Sequence, residues 1–118
     1  MPAGDTIGLG WNRVTNWIEV AERRLAENYL TAAGIVARES GGDAALLAVI
    51  KANGYGHGAA LCAPVLARAG TGWLGVTNAA EGIAVRSALS ASGIDAASQP
   101  RVLIMCGHLP EDASAIVQ

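Results

Sequence analysis

No stretch of this 118-residue chain approaches the roughly 18 consecutive apolar residues that a membrane helix needs. Met1-Pro2-Ala3-Gly4-Asp5 also lacks the basic start and apolar core of a secretory signal, so the expectation is a cytoplasmic protein with no membrane partner. Cysteine is scarce. Cys62 and Cys106 form no C-x-x-C pair, which removes the dithiol redox and zinc-knuckle patterns and leaves both expected as buried, reduced thiols, with no metal site. Positive charge is thin as well. The eight Lys and Arg residues are scattered through a chain of formal net charge −2, and nothing in them forms the basic stripe that nucleic acid requires. The chain holds no internal repeat, low-complexity tract or interior linker. Residues 1–16, with Gly4, Gly8 and Gly10, read as a flexible lead-in.

What is present is an apolar chain, 52% hydrophobic, with one conspicuous run: Leu46-Leu47-Ala48-Val49-Ile50-Lys51-Ala52-Asn53-Gly54-Tyr55-Gly56-His57-Gly58. A parallel strand buried on both faces reads as a continuous apolar run, and ligands of such folds gather at the carboxyl ends of the strands. The run delivers Lys51 to such an end. Behind it, Gly54, Gly56 and Gly58 permit positive φ and close approach of main-chain N–H groups to an anion such as phosphate. The spacing is neither G-x-G-x-x-G nor G-x-x-x-x-G-K-[ST], so dinucleotide and nucleoside-triphosphate binding have no motif here. A lysine desolvated at a strand end is a competent nucleophile toward a carbonyl.

Around this run the pattern alternates. Trp17 to Val20 reads as a short strand. Leu25, Tyr29, Ala32 and Val36 then recur at helical spacing until the Gly41-Gly42-Asp43 turn. A strand is expected over Ala45 to Ile50. A helix is expected next over Ala59 to Ala69, stopped by Gly70, with Pro64 either kinking it or placing its true start near Ala63. Trp73 to Thr77 reads as a strand, and Asn78 as the N-cap of a helix over Ala79 to Ser92 with Ile83, Ala84 and Leu89 inward. Arg101 to Cys106 is the last strand. Such alternation builds a parallel sheet through right-handed crossovers and places the chain in the α/β class.

The segment Ala48 to Gly58 closely resembles the pyridoxal-phosphate attachment motif of alanine racemases. Trp17-Ile18-Glu19-Val20 with Leu25 and Asn28, Trp73 to Thr77 with Glu81, and Arg101 to Met105 extend the likeness. Two positions depart from the family pattern. Ala21 stands where an aspartate usually caps the first helix, leaving Glu22 to complement the helix end, and Gly54 replaces alanine or cysteine, which suggests a looser turn. The resemblance implies a (β/α)8 TIM barrel. Such a barrel takes about 250 residues, so residues 17–118 correspond to an incomplete N-terminal barrel domain, with a C-terminal β domain expected beyond Gln118. It further implies pyridoxal 5'-phosphate (PLP) as cofactor, in Schiff-base linkage to Lys51 with Tyr55 contacting its phosphate. The implied reaction interconverts L- and D-alanine for peptidoglycan, in a homodimer whose partner subunit supplies a tyrosine as the second acid/base group. On that basis the present chain alone is expected to be inactive.

Other readings remain open at this level. Tyr55 also suits a half-buried aromatic, His57 a residue that holds its loop by hydrogen bonding, and Asn53 a turn residue that satisfies local backbone. Cys106 and His108 could pair as nucleophile and base near a strand end, although no orienting third group is identifiable. Two alternative functions also fit: a non-catalytic PLP-binding barrel, or a half-barrel that complements another chain.

Overall fold

The computed structural model describes residues 16–117, so most of the expected lead-in lies outside the described residues. Helix α1 spans Glu22–Glu39 and is followed by strand β1, Leu47–Val49. A helical turn α2, Lys51–Tyr55, leads to helix α3, Ala59–Arg68. Strand β2, Trp73–Val76, helix α4, Ala79–Ala91, and strand β3, Arg101–Ile104, continue the alternation. A short helix α5, Ala113–Ile116, closes it. The three strands form one parallel sheet in the order β1-β2-β3, with Leu47 opposite Trp73 and Trp73 opposite Arg101. Consecutive parallel neighbours joined by helices are what the alternation demands, and the fold is α/β as expected.

All the core lies on one side of this sheet. Ile50, Leu74 and Val76 meet Cys62, Ala63 and Leu66 of α3 and Val85 and Leu89 of α4, with Leu25 and Tyr29 of α1 packed at the margin. The expectation that the strands are buried on both faces is therefore corrected. Leu103 and Met105 remain 43% and 39% exposed, because helices cover only one face and the alternation of side chains turns these residues to the other. On that open face the Arg101 guanidinium lies over the Trp73 ring, 5.3 Å from its centroid.

Several local expectations are met. Ala21 gives α1 no side-chain cap, while Glu22 occupies its first turn. Asn78 caps α4 by accepting the Glu81 N–H at 2.9 Å. Gly70, at φ 97°, ends α3 where a side chain would be strained.

Others are corrected. Residues 16–20 form no strand, for no neighbouring strand among the described residues pairs with them, and Trp17 and Ile18 are exposed. β1 and β2 are shorter than the apolar runs that announce them, ending at Val49 and Val76, although the Ile50 N–H still donates to the Gly75 carbonyl and the Thr77 carbonyl still accepts from the Cys106 N–H. Helix α3 begins at Ala59 as the spacing predicts, so of the two readings of Pro64 the later start near Ala63 falls away: the helix runs through the proline, which is buried at its middle. In α4 the buried residues are Ala79, Gly82, Val85 and Leu89, so Leu89 faces inward as expected, whereas Ala84 is exposed and Ile83 is 49% exposed. Gly82 lies on that inward side, where a Cβ would meet Val102 Cγ1 and Val76 Cγ2 at the ordinary contact distances of 3.7 and 3.8 Å. Cys62 is buried, but Cys106 is exposed just beyond β3, where no element covers the chain.

Candidate active site at the carboxyl end of the sheet

Lys51 is the only lysine of the chain and comes directly after Ile50 at the carboxyl end of β1. The Ile50 N–H still donates to the Gly75 carbonyl at 2.9 Å, so the ladder with β2 fixes the residue just before the lysine. The turn beyond the lysine has an uncommon backbone. Five consecutive residues, Ala52 to Gly56, take positive φ: 50°, 54°, 65°, 55° and 86°. Two of these are glycines, yet Ala52, Asn53 and Tyr55 adopt the same left-handed sense at a cost of roughly 1–2 kcal/mol per residue.

Hydrogen bonds around the turn offset that cost. The Gly54 N–H donates to the Ile50 carbonyl at 2.9 Å, and the Gly58 N–H to the Asn53 carbonyl at 2.9 Å. Asn53 Oδ1 accepts the Ala59 N–H at 2.9 Å, supplying the N-terminal cap that Gly58, without a side chain, cannot give α3. His57 Nδ1 lies 2.9 Å from the Gly54 carbonyl oxygen; a carbonyl only accepts, so the proton sits on Nδ1 and Nε2 faces away from this bond. Both residues thus act on the loop as the sequence suggested. Gly54 does not loosen the turn, contrary to expectation. It is buried, and a Cβ there would stand 3.3 Å from the Ala59 nitrogen, which leaves little room. Replacing Asn53 by alanine removes both a residue tolerant of the left-handed region and the α3 cap. The expected loss of about 1–2 kcal/mol is read from the urea midpoint.

Tyr55 is 60% exposed and borders a cleft of about 670 Å³ between α1 and β1, which Arg24, Asn28, Tyr29 and His57 also line. Lys51 is not among the residues that line this cleft, so the turn holds Lys51 and Tyr55 close in the chain but gives them different surroundings. Lys51 forms no ion pair among the described residues.

Its charged neighbour is Glu81, in the first turn of α4. One Glu81 oxygen accepts the Thr77 N–H at 2.6 Å and the other accepts the Ala52 N–H at 2.9 Å. The Thr77 N–H is the chief influence holding the carboxyl below its ordinary range. Burial opposes it, and the Ala52 N–H and the Lys51 ammonium lower it further. Because the folded-state value is depressed, the contribution of these bonds is fully present above the ordinary carboxylate range and is lost as pH falls through the folded-state value.

At the level of sequence, Glu81 serves only to extend a strand match. The spacing Asn78-Ala79-Ala80-Glu81 is a cap followed three residues later by glutamate, a signal that could have singled it out. Cys106 and His108 both lie on the exposed segment after β3. The described residues contain no group of three or more His, Cys, Asp or Glu placed to hold a metal ion. Burial pushes the Cys62 thiol up, away from reactivity. Among the described residues no helix is long and apolar enough to cross a membrane.

The residues present suit PLP. A single amine without a competing carboxylate contact can take an aldehyde carbon, and an exposed phenol in the same turn can donate to a phosphate oxygen.

Comparison with known proteins places these features in a family. Residues 20–118 match the family model described as alanine racemase, N-terminal domain. Similar proteins include an alanine racemase of Nostoc sp., 33% identical over 108 residues that make up 92% of this chain and 25% of that protein. An alanine racemase of Methylacidiphilum infernorum is 34% identical over 102 residues, covering 86% of this chain and 23% of that protein. One of Acidithiobacillus ferrooxidans is 45% identical over 81 residues, 69% of this chain and 20% of that protein. The chain spans about a quarter of the length of the first two. No solved structure matches at a significant level. With three successive strand–helix units in parallel order, a lysine at the end of the first, and a family match over nearly its whole length, the chain belongs to the alanine racemase N-terminal domain family and represents part of its TIM barrel.

Proposed function

We propose that this chain is the cofactor-attachment part of a PLP-dependent amino-acid racemase that interconverts L- and D-alanine in the cytoplasm. The observation that carries the reading is the chain's sole lysine, set at the carboxyl end of a parallel strand and followed by a hydrogen-bonded left-handed turn. Lys51 is the attachment point for the cofactor and Tyr55 donates to its phosphate. When bound, PLP supplies an electron sink for the pair left at the substrate Cα once its proton is removed. The Lys51 amine would serve as the acid/base group on one face of the carbon, removing the Cα proton of one enantiomer or delivering a proton to form it.

Racemisation also needs an acid/base group on the opposite face. We assign that role to a tyrosine of a partner subunit's C-terminal β domain, in a homodimer, and take residues 17–118 as the incomplete barrel that meets it. Hence the chain alone is expected to bind PLP without racemising alanine, and measurable D-alanine formation by it would overturn this division of labour.

The direct test is incubation with PLP, borohydride reduction, digestion and peptide mass analysis. One pyridoxyl group on the Lys51 peptide is expected. A label confined to the N-terminal amine would sink the assignment.

One observation favours a second reading, in which the chain completes its sheet with another chain: Leu103 and Met105 leave the open sheet face partly apolar. Self-association that rises with protein concentration and proceeds without PLP attachment would support it.

A further inference from the structure

We propose that Glu81 is the positioning residue of the attachment lysine, holding the turn after Lys51 to the junction of β2 and α4 through two backbone N–H groups at once. Glu81 is 29 residues from Ala52 in sequence, yet its Oε1 accepts the Ala52 N–H at 2.9 Å while Oε2 accepts the Thr77 N–H at 2.6 Å. Ala52 is the first residue of the positive-φ run, at φ 50°, where an alanine is least comfortable without help. The bond therefore falls at the point where β1 ends and the turn changes hand, one residue after the amine.

Glu81 is held in its own right. Its N–H donates to Asn78 Oδ1 at 2.9 Å, and it sits in the first turn of α4, where a negative charge is favoured. The carboxylate thus reaches the turn from a rigid element. It does not engage Lys51 directly, since no ion pair joins them, so the amine stays free to react while its backbone is fixed. This geometry calls for a side chain with two acceptor oxygens and the full length of glutamate. Glutamine keeps the length but offers one acceptor, so one of the two N–H groups meets an amide donor instead. Aspartate keeps the charge at the helix end but is one methylene short of spanning both donors.

The inference deepens the proposed cofactor attachment and rests on it for its relevance to PLP, but it has a readout of its own. Hydrogen exchange is measured residue by residue in wild type, Glu81→Gln and Glu81→Asp, and PLP attachment by reduction and mass analysis in the same three proteins. Exchange at Ala52 is expected to rise roughly tenfold in both variants, while the Ile50 amide bonded to Gly75 stays protected. Label at Lys51 at limiting PLP is expected to fall by a similar factor in both. Full rescue by aspartate would mean that only charge at the α4 terminus matters and would overturn the positioning role. Equal labelling of all three proteins would overturn it too, with attachment itself intact. Absence of label in wild type would refute the attachment reading instead, and the exchange at Ala52 would then decide by itself whether the Glu81 bonds hold the turn.

Discussion

Lys51→Ala is expected to eliminate borohydride-fixed PLP from every internal peptide of this chain. The expectation is sharp because the chain has no second lysine that could take over, and the N-terminal amine serves as an internal reference for non-specific condensation. Lys51→Arg separates charge from nucleophilicity. Its guanidinium keeps the positive charge near Glu81 but stays protonated throughout the usable pH range, so it too is expected to carry no cofactor. If arginine binds PLP reversibly while alanine does not, charge contributes to affinity. If either variant retains a covalent label within residues 39–68, the lysine assignment fails.

The second large effect concerns stability. Leu74→Ala is expected to cost about 2–5 kcal/mol, because Leu74 is fully buried at the centre of the middle strand, facing α3 and α4. A small domain has a total of roughly 5–15 kcal/mol, so the variant is left near its unfolding threshold at room temperature. Leu103→Ala provides the control. It removes the same atoms from the neighbouring strand, but on the open face where Leu103 is already 43% exposed, and its expected cost is below about 1 kcal/mol. Urea denaturation followed by circular dichroism reads both. A similar shift of the midpoint in the two variants would mean that the open face is covered in solution.

Where the sequence was legible, two scales of pattern agreed. The apolar run before Lys51 marks β1 whatever lies around it, and Asn78 with Glu81 three residues later marks the start of α4 through local hydrogen bonding alone. The rotation of helix α4 was not legible, because Ala79, Ile83, Ala84, Val85, Ala88 and Leu89 place apolar groups on nearly every side. Periodicity then has no face to choose. The choice fell to tertiary packing, which turns Gly82, Val85 and Leu89 toward Val102, Val76 and the rest of the core, residues on strands that pattern reasoning cannot bring near. Trp17 to Val20 has strand composition, but composition supplies no partner for its backbone, and a strand is defined by that partner. The turn at Ala52 was half legible. Its glycines announced positive φ, whereas Ala52 adopts it with its N–H held by Glu81, 29 residues on, a partner that no local spacing encodes.

The left-handed run at residues 52–56 has a consequence for the order in which the chain becomes structured. A conformation that L-residues disfavour is a poor nucleus, since the local bonds Gly54 N–H to Ile50 and Gly56 N–H to Ala52 only partly reward it. One further clamp comes from 29 residues downstream and requires α4 to be formed and docked. The Glu81 clamp is therefore expected to close only after α4 has docked against the sheet. The segment that carries Lys51 is expected to gain its last restraint late in folding and to lose it early when the sheet and α4 separate.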